Sequence, residues 1–516
     1  MFSPGPSPAT KATVMNPGLR CLILTLALAS SSLVRAADPP VSLPRSSPEQ
    51  QGVASTALLG FIDAADSQLD SLHSFMLVRH GNVVAEGWWT PYGADSRHEL
   101  YSLSKSFTST AVGLAIAEGK LSLDDSVLAT FPDDAPTNPS TNLKSMRLRD
   151  LLRMSAGHQT ETKLGADVMS PKTFLAQPVP FKPGTHFLYN TPATFMASAM
   201  VQKATGQPVL DYLKPRLFEP LGITSPTWDA NFQGVSLGGY GLSLRTEDIA
   251  KFGQLYLQKG QWNGKQLVPA SWVEQATSLQ TSNGSNPKSD WEQGYGYQFW
   301  RCRNGAYRGD GAFGQYCIVL PEHDTVIAIT SGLGDMAAVL NLIWEKVLPA
   351  LQPQAISENP EAQRALQDRL KALTIKKPRG EAASSIQAKI NGKSYAFPSN
   401  DKKLESVKVE GGPNPGELSI TTRTDGKEQT IVCSADGWKR GTILAPGTGT
   451  ALAPPAQRNI AATGAWTADD TYTARVVLYE TPFVVTYSLR FSGDEVFYDS
   501  QMNVGRKDPQ LVGRKP

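Results

Sequence analysis

Ser102-Leu103-Ser104-Lys105 sets a hydroxyl and an amine three residues apart. On a helix that spacing is almost one turn, so both side chains emerge on one face. The chemistry such a pair offers is nucleophilic: the serine attacks a carbonyl carbon and the amine handles its proton. A helix N-terminus adds positive potential, which favours an alkoxide and lowers the lysine pKa. The bare pattern recurs at Ser285-Asn286-Pro287-Lys288 and Ser399-Asn400-Asp401-Lys402, both of turn composition with no helix signal behind them. Only Ser102 follows a strand-like Leu100-Tyr101 and opens a long helical pattern, with Phe107, Ala111, Leu114 and Ala115 on one face and Gly119 as its stop. Judged on this context alone, a helix cap with a solvated lysine is an equal reading.

A rival nucleophile lies in Gly234-Val235-Ser236-Leu237-Gly238, which satisfies Gly-x-Ser-x-Gly. That elbow needs an apolar strand before it and a helix after it. Here Trp228-Asp229-Ala230-Asn231-Phe232-Gln233 precedes it and a glycine-rich loop follows, which argues against Ser236. No Cys/His cluster has zinc spacing and no His-Glu-x-x-His occurs, so neither a metal nor another cofactor is expected. Cys302 and Cys317 end and begin two strand-like runs. A cross-strand bridge and two buried thiols are both open, since spacing does not establish geometry.

The elements that would hold Ser102 form a mixed α and β pattern over residues 37–352. Ser74-Phe75-Met76-Leu77-Val78 and Val83-Val84-Ala85 flank His80-Gly81-Asn82, a hairpin signal. A second helix follows Thr246, its expected cap, with Ile249, Phe252 and Tyr256 as its buried stripe and Gly260 at its end. Antiparallel strands follow within 295–331, including Cys317-Ile318-Val319-Leu320 and Val326-Ile327-Ala328-Ile329. Helices between an early hairpin and late strands imply one sheet assembled from both ends of the domain. Residues 353–384 read as a helix opened by Asn359-Pro360 and a linker. Residues 385–516 are strand and turn, punctuated by Asn391-Gly392, Asp425-Gly426, Asp436-Gly437 and Ser492-Gly493. This reads as a separate all-β domain, a small barrel by its spacing. It carries no nucleophile–base pairing, so it is expected to be separable and not catalytic.

Several segments together resemble the class C β-lactamase and penicillin-binding-protein-like serine hydrolases, especially the esterase and 6-aminohexanoate-dimer-hydrolase branch. They are Tyr101-Ser102-Leu103-Ser104-Lys105-Ser106-Phe107, Leu148-Arg149-Asp150-Leu151-Leu152 running on to Gly157, and Pro183-Gly184-Thr185 leading to Tyr189. Phe218-Glu219-Pro220-Leu221-Gly222-Ile223 and Tyr240-Gly241-Leu242-Ser243 follow in the same order, over most of residues 50–345. The resemblance implies a mixed α/β fold: an antiparallel sheet flanked by helices with a helical cluster. It implies Ser102 as the acylated nucleophile, Lys105 as its proton partner, and Tyr189 as general base or as relay to the leaving group. A tyrosine is a poor base at its usual pKa of about 10, which is why a lysine neighbour matters.

Two departures from that family stand out. Its Tyr-x-Asn is here Tyr189-Asn190-Thr191, so Asn190 is one place early and either Asn190 or Thr191 takes the role. Its Lys-Thr-Gly or His-x-Gly is here Gly309-Asp310-Gly311-Ala312, with Gly309 where a cation usually stands. In β-lactamases that cation helps to hold the substrate carboxylate, so its absence argues against β-lactam hydrolysis unless Arg303 or Arg308 replaces it. Asn190, Asp310 and Gly311 are the expected substrate-binding positions, and the N–H groups of Ser102 and Ala312 the expected oxyanion donors. The expected activity is hydrolysis of a small ester, amide or peptide-like molecule. The alternatives are a β-lactamase or D-amino-acid peptidase using the same residues, and a non-catalytic cell-wall binding or sensor protein that retains the fold.

The 516 residues exceed one ordinary core. A net charge of +2 gives no electrostatic case for nucleic acid or an anionic membrane. At the N-terminus Arg20 precedes the apolar run Cys21 to Ala29, and Val34-Arg35-Ala36 suits cleavage before Ala37. Residues 1–36 are therefore expected to be a signal peptide, with Met15 as an alternative start and a secreted or periplasmic destination. The run is too short to span a bilayer.

Overall fold

The computed structural model describes residues 42–161, 165, 167–445, 456–505 and 507–516. The expected signal segment lies outside the described residues. The central sheet joins both ends of the hydrolase domain, as the pattern implied. Strands β1 (Leu72–Arg79) and β2 (Asn82–Trp88) form the early hairpin. Strands β3 (Trp300–Arg301), β4 (Tyr307–Gly311), β5 (Gln315–Leu320) and β6 (Thr325–Ser331) complete it in the order β2-β1-β6-β5-β4-β3, each pair antiparallel. The hairpin turn needs positive φ at both centre positions, and His80 (φ 47°) and Gly81 (φ 75°) supply it.

Alternation along these strands divides the core into two layers. Met76, Val78, Cys317, Val319, Val326 and Ala328 face one layer, which contains the helices α2 (Ser104–Ala117) and α4 (Thr246–Leu257). Phe75, Leu77, Ile318, Ile327 and Ile329 face the other, which contains α1 (Ser55–Gln68) and the helix Met336–Leu342. Phe107 of α2 stacks on Phe252 of α4 with centroids 3.9 Å apart. Cys317 and Cys302 fall in different layers, so the bridge is not formed; both thiols are free and buried.

One helix expectation is extended and one is corrected. The helix after Ser102 starts at Ser104, and every residue from Ser104 to Ala115 is buried, so that only its C-terminal end reaches solvent. Its polar side chains bond outward to neighbouring loops: Ser106 to the carbonyl of Gln298 (2.9 Å), Thr108 to that of Gly238 (2.9 Å), Ser109 to that of Tyr297 (2.7 Å). In α4 the cap is Arg245, not Thr246; the Asp248 carboxylate accepts from the Arg245 amide at 3.2 Å.

Residues 353–384 do not float free. Helix α5 (Pro360–Lys371) is capped by Asn359 and lies against α1, with Arg369 paired to Asp63 (2.8 Å) and Asp66 (2.6 Å). Ten strands between Lys393 and Arg514 then form one sheet among the described residues. Pairing of Ser434 with Thr463 brings its first strand back onto its penultimate one, closing a barrel.

The barrel is docked on the hydrolase sheet. Val477 and Val484 join the α1 layer. The turn between the barrel strands Thr471–Val477 and Val484–Ser492 reaches the hydrolase domain, where Tyr92 donates to the carbonyl of Thr481 (3.1 Å) and the amide of Glu99 to that of Glu480 (2.9 Å). Under that turn lies a row of neutral polar groups: Ser71 Oγ to His73 Nε2 (2.7 Å), His73 Nδ1 to His98 Nε2 (3.0 Å), and His98 Nδ1 to the carbonyl of Glu99 (2.9 Å).

Candidate active site

Ser102 sits in a single 3-10 turn, Tyr101–Leu103, immediately ahead of α2. Tyr101 has φ 49°, which turns the chain sharply into the helix. The Ser104 hydroxyl donates back to the carbonyl of Tyr101 (2.6 Å) and accepts from the amide of Leu242 (3.2 Å), fixing the turn to the Tyr240–Leu244 segment. Ser102 itself caps nothing.

Lys105 is 1% exposed, and its Nζ lies 2.9 Å from Ser102 Oγ. Its other contacts are the carbonyl of Gly239 (2.8 Å) and Thr191 Oγ1 (3.3 Å). Burial lowers the Lys105 pKa to about 7, against the carboxylates of Glu161 and Asp310, which act to raise it. The amine is thus poised to exist neutral near physiological pH. Glu161 is a residue that sequence reasoning missed; its carboxylate accepts from the amide of Thr191 at 2.8 Å. A lone glutamate in a loop carries no sequence signal, and neither does the carbonyl of Gly239.

Tyr189 lies across the site, its ring centroid 4.9 Å from Lys105 Nζ. Trp300 stacks on it at 5.2 Å, and the neighbouring amide of Leu188 bonds the carbonyl of Met154 (2.8 Å). Burial, assisted by the charge of Asp310, pushes the phenol pKa well above its usual value, while hydrogen bonding to Ser102 acts the other way. Burial thus favours the neutral hydroxyl of Tyr189 over its phenolate.

Of the two residues at the offset in the tyrosine motif, Thr191 is the one whose side chain meets Lys105. Asn190 is buried at the N-terminus of α3 (Thr191–Thr205), where its Oδ1 caps the amide of Ala193 (3.4 Å). Thr191 is the residue that reaches Lys105. Asn190, expected as a substrate contact, has its side-chain oxygen engaged as the helix cap.

On strand β4, Gly309 and Gly311 face α2 and the serine turn. A Cβ at 309 would stand 2.3 Å from Leu103 Cδ1 and 2.8 Å from Ser106 Oγ. One at 311 would stand 2.1 Å from the carbonyl oxygen of Leu100. Glycine is thus what this close approach requires, and the family's cation has no room at 309. Asp310 points the other way and is held by Arg308 Nε (2.9 Å), so it acts on the site through its charge and not as an open ligand. Neither candidate replacement cation is available: Arg308 is fully buried against Asp310, the carbonyl of Asp290 and Trp291, and Arg303 is paired with Asp290 at 2.7 Å. Ser236 is 2% exposed in a loop and lacks the strand and helix of an elbow.

Residues 70–344 match the family model described as Beta-lactamase. The chain is 26% identical over 286 residues to the 6-aminohexanoate-dimer hydrolase of Paenarthrobacter ureafaciens, covering 51% of this chain and 73% of that one. It is 27% identical over 168 residues to the lovastatin esterase of Penicillium rubens, covering 28% and 42%. Among solved structures, a putative 6-aminohexanoate-dimer hydrolase from Bacillus anthracis superposes with a TM-score of 0.49 at 20% identity, over 59% of this chain and 86% of that one.

Proposed function

The chain belongs to the Beta-lactamase family, and we propose that it hydrolyses an ester or amide through an acyl-enzyme on Ser102. The observation that carries the reading is a buried lysine, its pKa lowered to about 7, with Nζ 2.9 Å from a serine hydroxyl. Neutral Lys105 takes the Ser102 proton as Oγ bonds to the substrate carbonyl carbon. The N–H groups of Ser102 and Ala312 receive the oxyanion. Collapse breaks the bond to the leaving group, which takes the Tyr189 hydroxyl proton; Lys105 returns a proton to Tyr189. Water then attacks the acyl carbon with the same groups running in reverse, releasing the acid and restoring Ser102. The similarity to a dimer hydrolase and to an esterase supports small acyl substrates. Export through residues 1–36 is part of the same proposal, resting on the sequence alone.

The test is Ser102→Ala in the full chain. Turnover of a p-nitrophenyl ester should fall by about a thousandfold or more, and labelling by a fluorophosphonate should vanish. Since Ser102 caps no helix, melting should be unchanged. Near-normal turnover in the variant would overturn the assignment.

A further inference from the structure

The two residues that neighbour the oxyanion donors share an unusual conformation. Tyr101, whose peptide carries the Ser102 N–H, has φ 49°, and Phe313, which follows Ala312, has φ 67°. Aromatic residues enter the left-handed region only where their surroundings hold them there. Here they hold each other: the rings meet edge to face, centroids 5.3 Å apart at 86°. A third ring completes the set, and it comes from the barrel. Phe483 meets Phe313 at 5.8 Å and 63°.

The barrel turn that carries Phe483 is fastened to both segments leading to the donors. On the serine side, the amide of Glu99 donates to the carbonyl of Glu480. On the strand side, Asn503 Nδ2 donates to the carbonyls of Gly332 (2.7 Å) and Pro482 (2.9 Å), and its Oδ1 accepts from the amide of Val484 (2.8 Å). Position 332 is a glycine because a Cβ there would stand 2.1 Å from the Pro482 oxygen. From Gly332 the grip passes to Phe313, whose carbonyl accepts from Ser331 Oγ (2.7 Å) and the amide of Leu333 (2.9 Å). One turn of the barrel therefore bridges the serine turn and the end of β4.

We propose that Phe483 is a positioning residue for the oxyanion pair, so that the barrel is a working part of the hydrolase and not a separable appendage. The inference rests on the acyl-enzyme reading of Ser102. It departs from the expectation of a separable β domain, which considered only where nucleophiles lie. An oxyanion hole stabilises charge by fixed spacing of its donors, so a small drift of one peptide weakens the transition state more than it weakens substrate binding.

The experiment uses full-length Phe483→Ala, Phe483→Leu and Phe483→Tyr. For Phe483→Ala, kcat on a p-nitrophenyl ester should fall about 10–100-fold with KM within about threefold. The affinity of a boronic acid, whose adduct with serine is tetrahedral, should fall by the same factor. Phe483→Tyr, which keeps the ring, should restore most of both. Phe483→Leu keeps the bulk and carries the same comparison if the alanine variant does not fold. Unchanged kcat and boronate affinity would overturn the inference, as would a rise in KM alone, which would make Phe483 a substrate contact. A wild-type chain inert to fluorophosphonate would overturn the acyl-enzyme reading and this inference with it; a reactive wild type with unaffected Phe483 variants would overturn only this one.

Discussion

Lys105 shows how a single side chain is tuned by competition. Loss of hydration favours the neutral amine, while Glu161 and Asp310 favour the ammonium. The balance near 7 has a geometric counterpart. A neutral amine has two N–H donors and one lone pair; the carbonyl of Gly239 and the hydroxyl of Thr191 take the donors, leaving the lone pair for the Ser102 proton. The pH profile of kcat/KM should therefore carry an acid limb centred near 7, rising tenfold per unit below it and level above about pH 8. Tyr189, held neutral by burial, should add no limb in that range. Glu161→Gln tests the cause. Removing a carboxylate that favours the ammonium lowers the lysine pKa further, so the limb should move toward acid while the amide oxygen still receives the Thr191 N–H. A limb that stays put or moves alkaline would show that Glu161 does not act on Lys105.

Substrate preference is expected to follow from what strand β4 leaves out. A charge-assisted hydrogen bond to a carboxylate is worth about 1.5–3 kcal/mol, a factor of roughly 10–100 in rate. With Gly309 pressed on Leu103 and both nearby arginines paired internally, neither position 309 nor those arginines offers that bond. Esters should be turned over at least tenfold faster in kcat/KM than a chromogenic cephalosporin on one preparation. Gly309→Lys should not gain cephalosporin turnover; it should lower ester activity, since crowding at Leu103 disturbs the turn that holds Ser102, at about 1–3 kcal/mol of strain. A cephalosporin value equal to or above the ester value would sink this account. The elements also explain what the sequence could disclose. Ser102 and Lys105 were legible because one helical turn makes them local, and the hairpins because Asp-Gly and His-Gly turns are local too. The burial of α2 was not legible, because its serines and threonines find partners 130 or more residues away. Which of Asn190 and Thr191 meets Lys105 depends on a cap that only the fold forms, and Glu161 is silent in the sequence, since a carboxylate in a loop gains meaning only from what folds against it.

At the scale of the whole molecule, the barrel seam contains a device for acid sensitivity. His98 Nδ1 faces the carbonyl of Glu99 and must carry a proton, so its Nε2 accepts from His73 Nδ1, and His73 Nε2 accepts from Ser71. Every ring nitrogen is used with both imidazoles neutral. A proton added to His98 would set N–H against N–H across the 3.0 Å contact unless His73 moved its own proton from Nδ1 to Nε2. Burial lowers His98 to about 4 and His73 well below its usual value, the latter aided by His98 itself and by Arg475 of the barrel. Two charged pairs lie near the seam, Arg475 with Asp70 (3.0 Å) and Arg97 with Glu480 (3.9 Å). Between about pH 6.5 and 4 the unfolded chain binds the His98 proton and the folded chain does not, so stability is full above 6.5 and falls as pH drops toward 4. For His98 alone the loss is on the order of 3 kcal/mol, a large share of the 5–15 typical of a folded protein. Melting temperature should therefore drop between pH 8 and pH 5, and ester turnover measured after return to pH 8 should recover if docking is reversible. His98→Gln, which removes the titrating ring, should be less stable at pH 8 but flatter across the same interval. Equal slopes for wild type and His98→Gln would place the acid sensitivity elsewhere in the chain.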